Sequence, residues 1–119
     1  MATIKSFTSL EQSKKLAEFL PLESADMHIG NYVGESGKVD GTNIHYYPKG
    51  ESFGAPQIID AWSLAALLDV LPKGTNISTP KPINALSYCC WNQYDEIYAD
   101  NPIDACYEMI LKLNELNLL

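Results

Sequence analysis

Two adjacent cysteines, Cys89 and Cys90 in the run "SYCCWNQYDEIYADNPIDACYEMILKL", are the residues whose type first suggests chemistry. A thiol nucleophile needs a depressed pKa, supplied by a histidine or a helix N-terminus beside it. A zinc site needs CxxC spacing or further cysteines, and the chain has 3 in all, the last at Cys106. Neighbouring strand positions point to opposite faces, so Cys89 and Cys90 cannot jointly serve one pocket. The pattern favours one buried and one half-exposed structural thiol, with Cys106 in the core.

The histidines are His28 and His45. A hairpin centred between Ser36 and Gly37 would set them opposite each other, and with an acid such as Asp26 they would offer a metal-ligand set. That geometry hangs on register, and a one-residue slip breaks it. Solvent-facing strand histidines are the plainer reading, and no metal or cofactor is expected. Asp95 with Glu96, and Asp100 with Asp104, supply the carboxylates that acid–base work would use. The first two diverge on a strand, however, and the second two sit where acids cap a helix. No Gly-rich phosphate loop, GxSxG elbow or HExxH helix is present.

Trp62 precedes an apolar helix and reads as a core anchor or staple. Trp91, Tyr94 and Tyr98, with Cys89 beside them, are the best candidate interaction surface, because aromatics with a polar tip are enriched at interfaces. A helix of the same domain would cover such a face equally well, and both readings stand open. The competing class is a small-ligand binder or enzyme with a pocket near Trp62, Trp91 and the histidines.

Several elements must position these residues. "TSLEQSKKLAEFL" reads as a helix opened by a Thr8–Glu11 capping box, with Leu10, Ser13, Leu16, Ala17 and Leu20 inward and Pro21 as the stop. "DMHIGNYV" and "NIHYY" read as antiparallel strands around the turn-rich "GESGKVDGT", where Asp40-Gly41 is a turn signal, and "PKGESFGAP" reads as loop. Residues 63–71 form a short helix, apolar nearly all round, capped by Ser63 or Asp60 and followed by the loop "PKGTNISTPKP". A second hairpin turning at Asn92-Gln93 puts Leu86, Tyr88, Ile97 and Ala99 on one face and Cys89, Trp91, Tyr94, Glu96 and Tyr98 on the other. A last helix starts at "DNPIDA", capped by Asp100 or Asn101. Asp104, Glu108, Lys112 and Glu115 form its polar stripe, against an apolar arc of Ile103, Cys106, Tyr107, Met109, Ile110, Leu111, Leu113 and Leu116. Burying that arc is worth ~12–24 kcal/mol gross before chain entropy is subtracted, so a fragment ending at Asp100 is expected not to fold. The order is α-β-β-α-β-β-α: an α+β fold of antiparallel hairpins on helices, with residues 1–119 as a single domain.

Composition narrows the function. Of 119 residues, 46% are hydrophobic and 19% charged, a globular balance that can support one core. Fifteen acids against 8 bases give a formal charge of −7, and every base is a lysine. That opposes binding to nucleic acid and removes the bidentate arginine grip on phosphate. No apolar run is long enough for a membrane span and the start lacks the pattern of a signal peptide, so a cytoplasmic location is expected.

"LEQSKKLAEFLPLESADM", "AWSLAALLDVLPK" and "YDEIYADNPIDACYEMILKL" together resemble small uncharacterised proteins of Bacteroides-type gut bacteria and their phages or mobile elements. The resemblance covers a little under half the chain. It implies a bacterial or phage origin and a small α+β fold, and brings no activity or site residues. The expectation is a non-enzymatic, acidic interaction or accessory protein. It would bind a protein partner or pair with itself as a homodimer. An acidic mimic of nucleic acid is a third possibility that −7 permits, although the acids are scattered rather than arrayed.

Overall fold

Each helix begins where a short polar side chain satisfies its free N–H groups. In the computed structural model, which describes residues 6–31, 44–48, 57–78 and 88–119, α1 spans Leu10–Ala17. Ser9 Oγ accepts the Gln12 N–H at 3.2 Å, and Gln12 Oε1 accepts the Ser9 N–H at 3.0 Å, a reciprocal capping box. The box lies one residue beyond the expected Thr8–Glu11 pair because Thr8 is committed elsewhere. Thr8 is fully buried, its Oγ1 lies 2.8 Å from Ser13 Oγ and accepts the Trp62 N–H at 3.1 Å, and its own N–H donates to Trp62 O at 2.9 Å.

Helix α2 (Leu64–Val70) is capped by Ser63, whose Oγ accepts the Ala66 N–H at 3.3 Å. Asp26 holds that cap in place by accepting both the Ser63 N–H at 2.9 Å and its hydroxyl at 2.5 Å. Helix α3 (Pro102–Glu115) is capped by Asn101, whose Oδ1 accepts the Asp104 N–H at 2.9 Å, and Pro102 occupies the first turn, where no N–H is needed. Ile103, Ala105, Cys106, Met109, Ile110 and Leu113 are fully buried along it. Leu116, expected on the same arc, is exposed because the helix has ended. Asn117 turns left-handed (φ 58°) and the Leu118 N–H donates to Leu113 O at 2.8 Å, with asparagine standing where glycine usually does. Gln12 Nε2 donates to Asp104 Oδ1 at 2.7 Å, so one amide caps α1 and ties its start to the start of α3.

The α+β class and the succession of helices and hairpins are as expected, and each hairpin gains a third strand. In the first sheet, β1 (Met27–Asn31) lies between β2 (Ile44–Pro48) and β3 (Gln57–Ala61), all antiparallel, in the order β2-β1-β3. In the second, β5 (Tyr88–Trp91) lies between β4 (Asn76–Ser78) and β6 (Glu96–Ala99), again antiparallel. A 3-10 turn (Leu22–Ser24) links α1 to β1. The expected turn at Asp40-Gly41, the loop around residues 49–56 and Leu86 lie outside the described residues.

Helix α3 packs on β5 and β6, α2 packs on α3, and α1 packs on β3. The core joins Leu16 of α1, Leu20 just beyond it, Trp62, Ala66, Leu67, Cys90 of β5 and the buried side of α3. Trp62 is wholly buried, as the sequence suggested, and its indole N–H donates to Ser24 Oγ at 2.9 Å. Among the described residues no helix is long and apolar enough to cross a membrane.

Candidate functional site

Strand parity sorts the second sheet into two faces. Cys90 pairs with Ile77 and Ile97, and Tyr88 with Ala99; this face looks onto α3. The opposite face is a grid of two rows. Asn76, Trp91 and Glu96 lie across the three strands in one row, and Ser78, Cys89 and Tyr98 in the other. The large rings on this side stay in solvent: Trp91 is 43% exposed, Tyr98 61%, and Tyr94, in the adjoining turn, 46%. Among the described residues no helix covers these rings, since α3 packs on the inner face.

Hydrogen bonds fix the grid. The Trp91 indole N–H donates to Ser78 Oγ at 2.8 Å, and the Tyr98 hydroxyl donates to the Glu96 carboxylate. That bond and the negative charge of Glu96 push the Tyr98 phenol up to about 12, so it remains a neutral donor throughout the physiological range. The Cys89 thiol also touches the Tyr98 hydroxyl, but burial is the largest influence on it and pushes it up, away from the thiolate that a nucleophile requires. Asp95 receives Lys112 of α3 at 3.8 Å, which steadies the turn beside the face.

The turn sits one residue later than the sequence suggested. Trp91 pairs with Glu96 and Cys89 with Tyr98, so the chain reverses at Gln93-Tyr94 and not at Asn92-Gln93. Asn92 is the entry residue: its Oδ1 accepts the N–H groups of Tyr94 at 2.8 Å and Asp95 at 3.1 Å, mimicking a backbone turn. Its amide also donates to Thr75 Oγ1 at 3.2 Å.

The metal reading meets a different register from the one it needed. His28 pairs with Tyr47, and His45 pairs with Gly30, so the hairpin does not set the histidines opposite each other. Nor does His28 face solvent. Strand β3 makes β1 the central strand and puts Asp60 beside His28, and the two are only 7% and 2% exposed respectively. For His45 only the backbone position is described. Among the described residues no group of three potential ligands gathers. Cys89 and Cys90 lie in the other sheet, and Cys90 is fully buried and hydrogen-bonded across the β5–α3 contact to the equally buried Cys106 of α3. That bond, reinforced by burial, pushes the Cys106 thiol up strongly. Nothing in the spacing of Cys90 and Cys106 signals this contact, because it depends on which residues of α3 meet β5.

The pocket expected near Trp62, Trp91 and the histidines is not formed by those residues together: Trp62 is core, Trp91 lies on an outer sheet face, and His28 is in the other sheet. A cavity of about 450 Å³ opens elsewhere, at the ends of α1, α2 and α3, and is lined by Phe19, Leu20, Ser24, Asp69, Val70 and Asn114 among others.

Fold and face together define a small α+β domain with one three-stranded sheet backed by a helix and, among the described residues, exposed, ring-rich and acidic on its other side. No protein-family model, curated protein or solved structure matches the chain.

Proposed function

We propose that this domain is a non-enzymatic interaction or accessory protein that docks a protein partner on the outer face of the second sheet. One observation carries the reading: Trp91, Tyr94 and Tyr98 stand 43–61% exposed around one corner of a sheet whose other side already supplies the core. Rings of this kind bring large contact area at low entropic cost, and clustered exposure of them is the mark of a binding surface. The resemblance noted above sets such a protein in a bacterium or mobile element, and we place it in the cytoplasm, where its thiols stay reduced.

The experiment is a peptide-display selection on the wild-type domain, with counter-selection on a Trp91→Ala/Tyr98→Ala double variant. Enriched peptides that bind the wild type and lose the double variant support the proposal. Peptides that bind both equally, or a selection that enriches none, overturn it.

A further inference from the structure

The outer face carries one carboxylate between two rings. Glu96 is the direct cross-strand neighbour of Trp91 and lies two residues from Tyr98, whose hydroxyl it accepts. The bond to Tyr98 holds the carboxylate at the sheet surface, within reach of anything seated on Trp91. We propose that the occupant of this face is an arginine side chain presented by a basic segment of a partner protein, its guanidinium stacked on the Trp91 and Tyr98 rings and paired with Glu96. This rests on the docking role proposed for the face, and adds the chemistry of what docks.

Charge selects the partner. From residue 82 to residue 111 the sequence contains no base and carries Asp95, Glu96, Asp100, Asp104 and Glu108. The nearest lysine on α3, Lys112, is turned to Asp95. A second copy of the chain is a poor occupant, because a two-fold contact through this face would bring the two Glu96 carboxylates together on molecules that each carry −7. Phosphate-bearing ligands meet the same field with the wrong sign. Arginine fits better than lysine: its flat, weakly hydrated guanidinium stacks on rings while forking onto a carboxylate, whereas an ammonium holds its water more tightly. The chain has no arginine of its own, so no internal guanidinium competes for the face.

The test titrates labelled Gly/Ser peptides bearing arginines, lysines or glutamates against the folded domain, followed by fluorescence anisotropy. The arginine peptide is expected to bind about two- to five-fold more tightly than the lysine peptide, with the glutamate peptide not binding. Trp91→Ala and Glu96→Gln should each weaken the arginine peptide by about two- to five-fold, and added salt should weaken it further. Glu23→Gln removes the same charge from an exposed site on the 3-10 turn and should leave binding unchanged. The proposal is overturned if Glu23→Gln and Glu96→Gln have equal effects, since the attraction would then be diffuse. Lysine binding as tightly as arginine overturns the preference for a guanidinium. A dimer in sedimentation that Trp91→Ala converts to monomer would make a second copy the occupant. Display-selected peptides that need Trp91 but carry no cation would leave the docking role standing and remove its arginine; a selection with no face-dependent binder would remove both.

Discussion

The two tryptophans make the same chemical group perform opposite tasks, and exchanging each for phenylalanine should separate them. Trp62 is fully buried, donates its indole N–H to Ser24 at 2.9 Å, and is tied through its backbone N–H and C=O to Thr8. Trp62→Phe keeps an aromatic ring but deletes the indole donor and leaves a void in a close-packed core. A lost hydrogen bond costs about 1 kcal/mol and the missing volume about 1–2 more, for a total of about 2–3 kcal/mol. That is a large fraction of the ~5–15 kcal/mol that holds a typical domain together. Trp91 is 43% exposed and its indole bond to Ser78 is open to water, so Trp91→Phe should cost no more than about 0.5 kcal/mol. Even Trp91→Ala, at roughly half the ~3–5 kcal/mol of a buried ring, should leave a folded protein. Urea unfolding followed by far-UV circular dichroism reads both, with the slope unchanged if each variant acts on stability alone. Trp91→Phe also leaves Trp62 as the single indole, and its emission should resist acrylamide quenching. If Trp91→Phe destabilised the protein as much as Trp62→Phe, the outer face would be part of the frame and the docking argument would lose its footing.

Gln12 and Asp104 should show a coupling of about 1 kcal/mol in a double-mutant cycle of Gln12→Ala and Asp104→Ala, read from urea midpoints, since their 2.7 Å bond joins two helix starts. Thiol titration with an aromatic disulfide should find Cys89 alone reactive in the native state, and slowly at neutral pH, because burial pushes its thiol up; Cys90 and Cys106 should react only after unfolding. The ultraviolet difference between wild type and Tyr98→Phe should show a phenol ionising near pH 12, brought back toward about 10 by Glu96→Gln. A folded-state value above the unfolded one means that the native protein holds this proton more tightly. The contribution of the Tyr98–Glu96 bond is therefore full below about pH 10 and disappears as the pH rises through about 12.

Helices were the most legible part of the sequence, since caps, proline stops and spacing act locally. Asn101-Pro102 and Ser63 start their helices as expected, and the one displaced cap, at Ser9, moved because Thr8 was claimed by Trp62 and Ser13, a tertiary demand with no local sign. The third strands were hidden for different reasons. Strand β3, "QIIDA", carries a buried acid in place of clean alternation, and β4 is only "NIS", too short to show a period. Both hairpins were displaced in register, yet the face assignment of Cys89, Trp91, Glu96 and Tyr98 survived. Moving a hairpin's centre by one residue changes each pairing by two positions on the partner strand, and two positions is one full period of the pleat. The rings were thus readable as a group, whereas the buried neighbours His28 with Asp60 and Cys90 with Cys106 depended on strand order and helix placement.

That division by parity leaves the domain easy to readdress. Alternate positions of β5 and β6 anchor the strands to α3, and the positions between them, Trp91, Glu96 and Tyr98, carry what an outside molecule would meet. A lineage, or a designer, could rewrite those three residues to greet a different guest while the inward-facing set kept its grip on the helix.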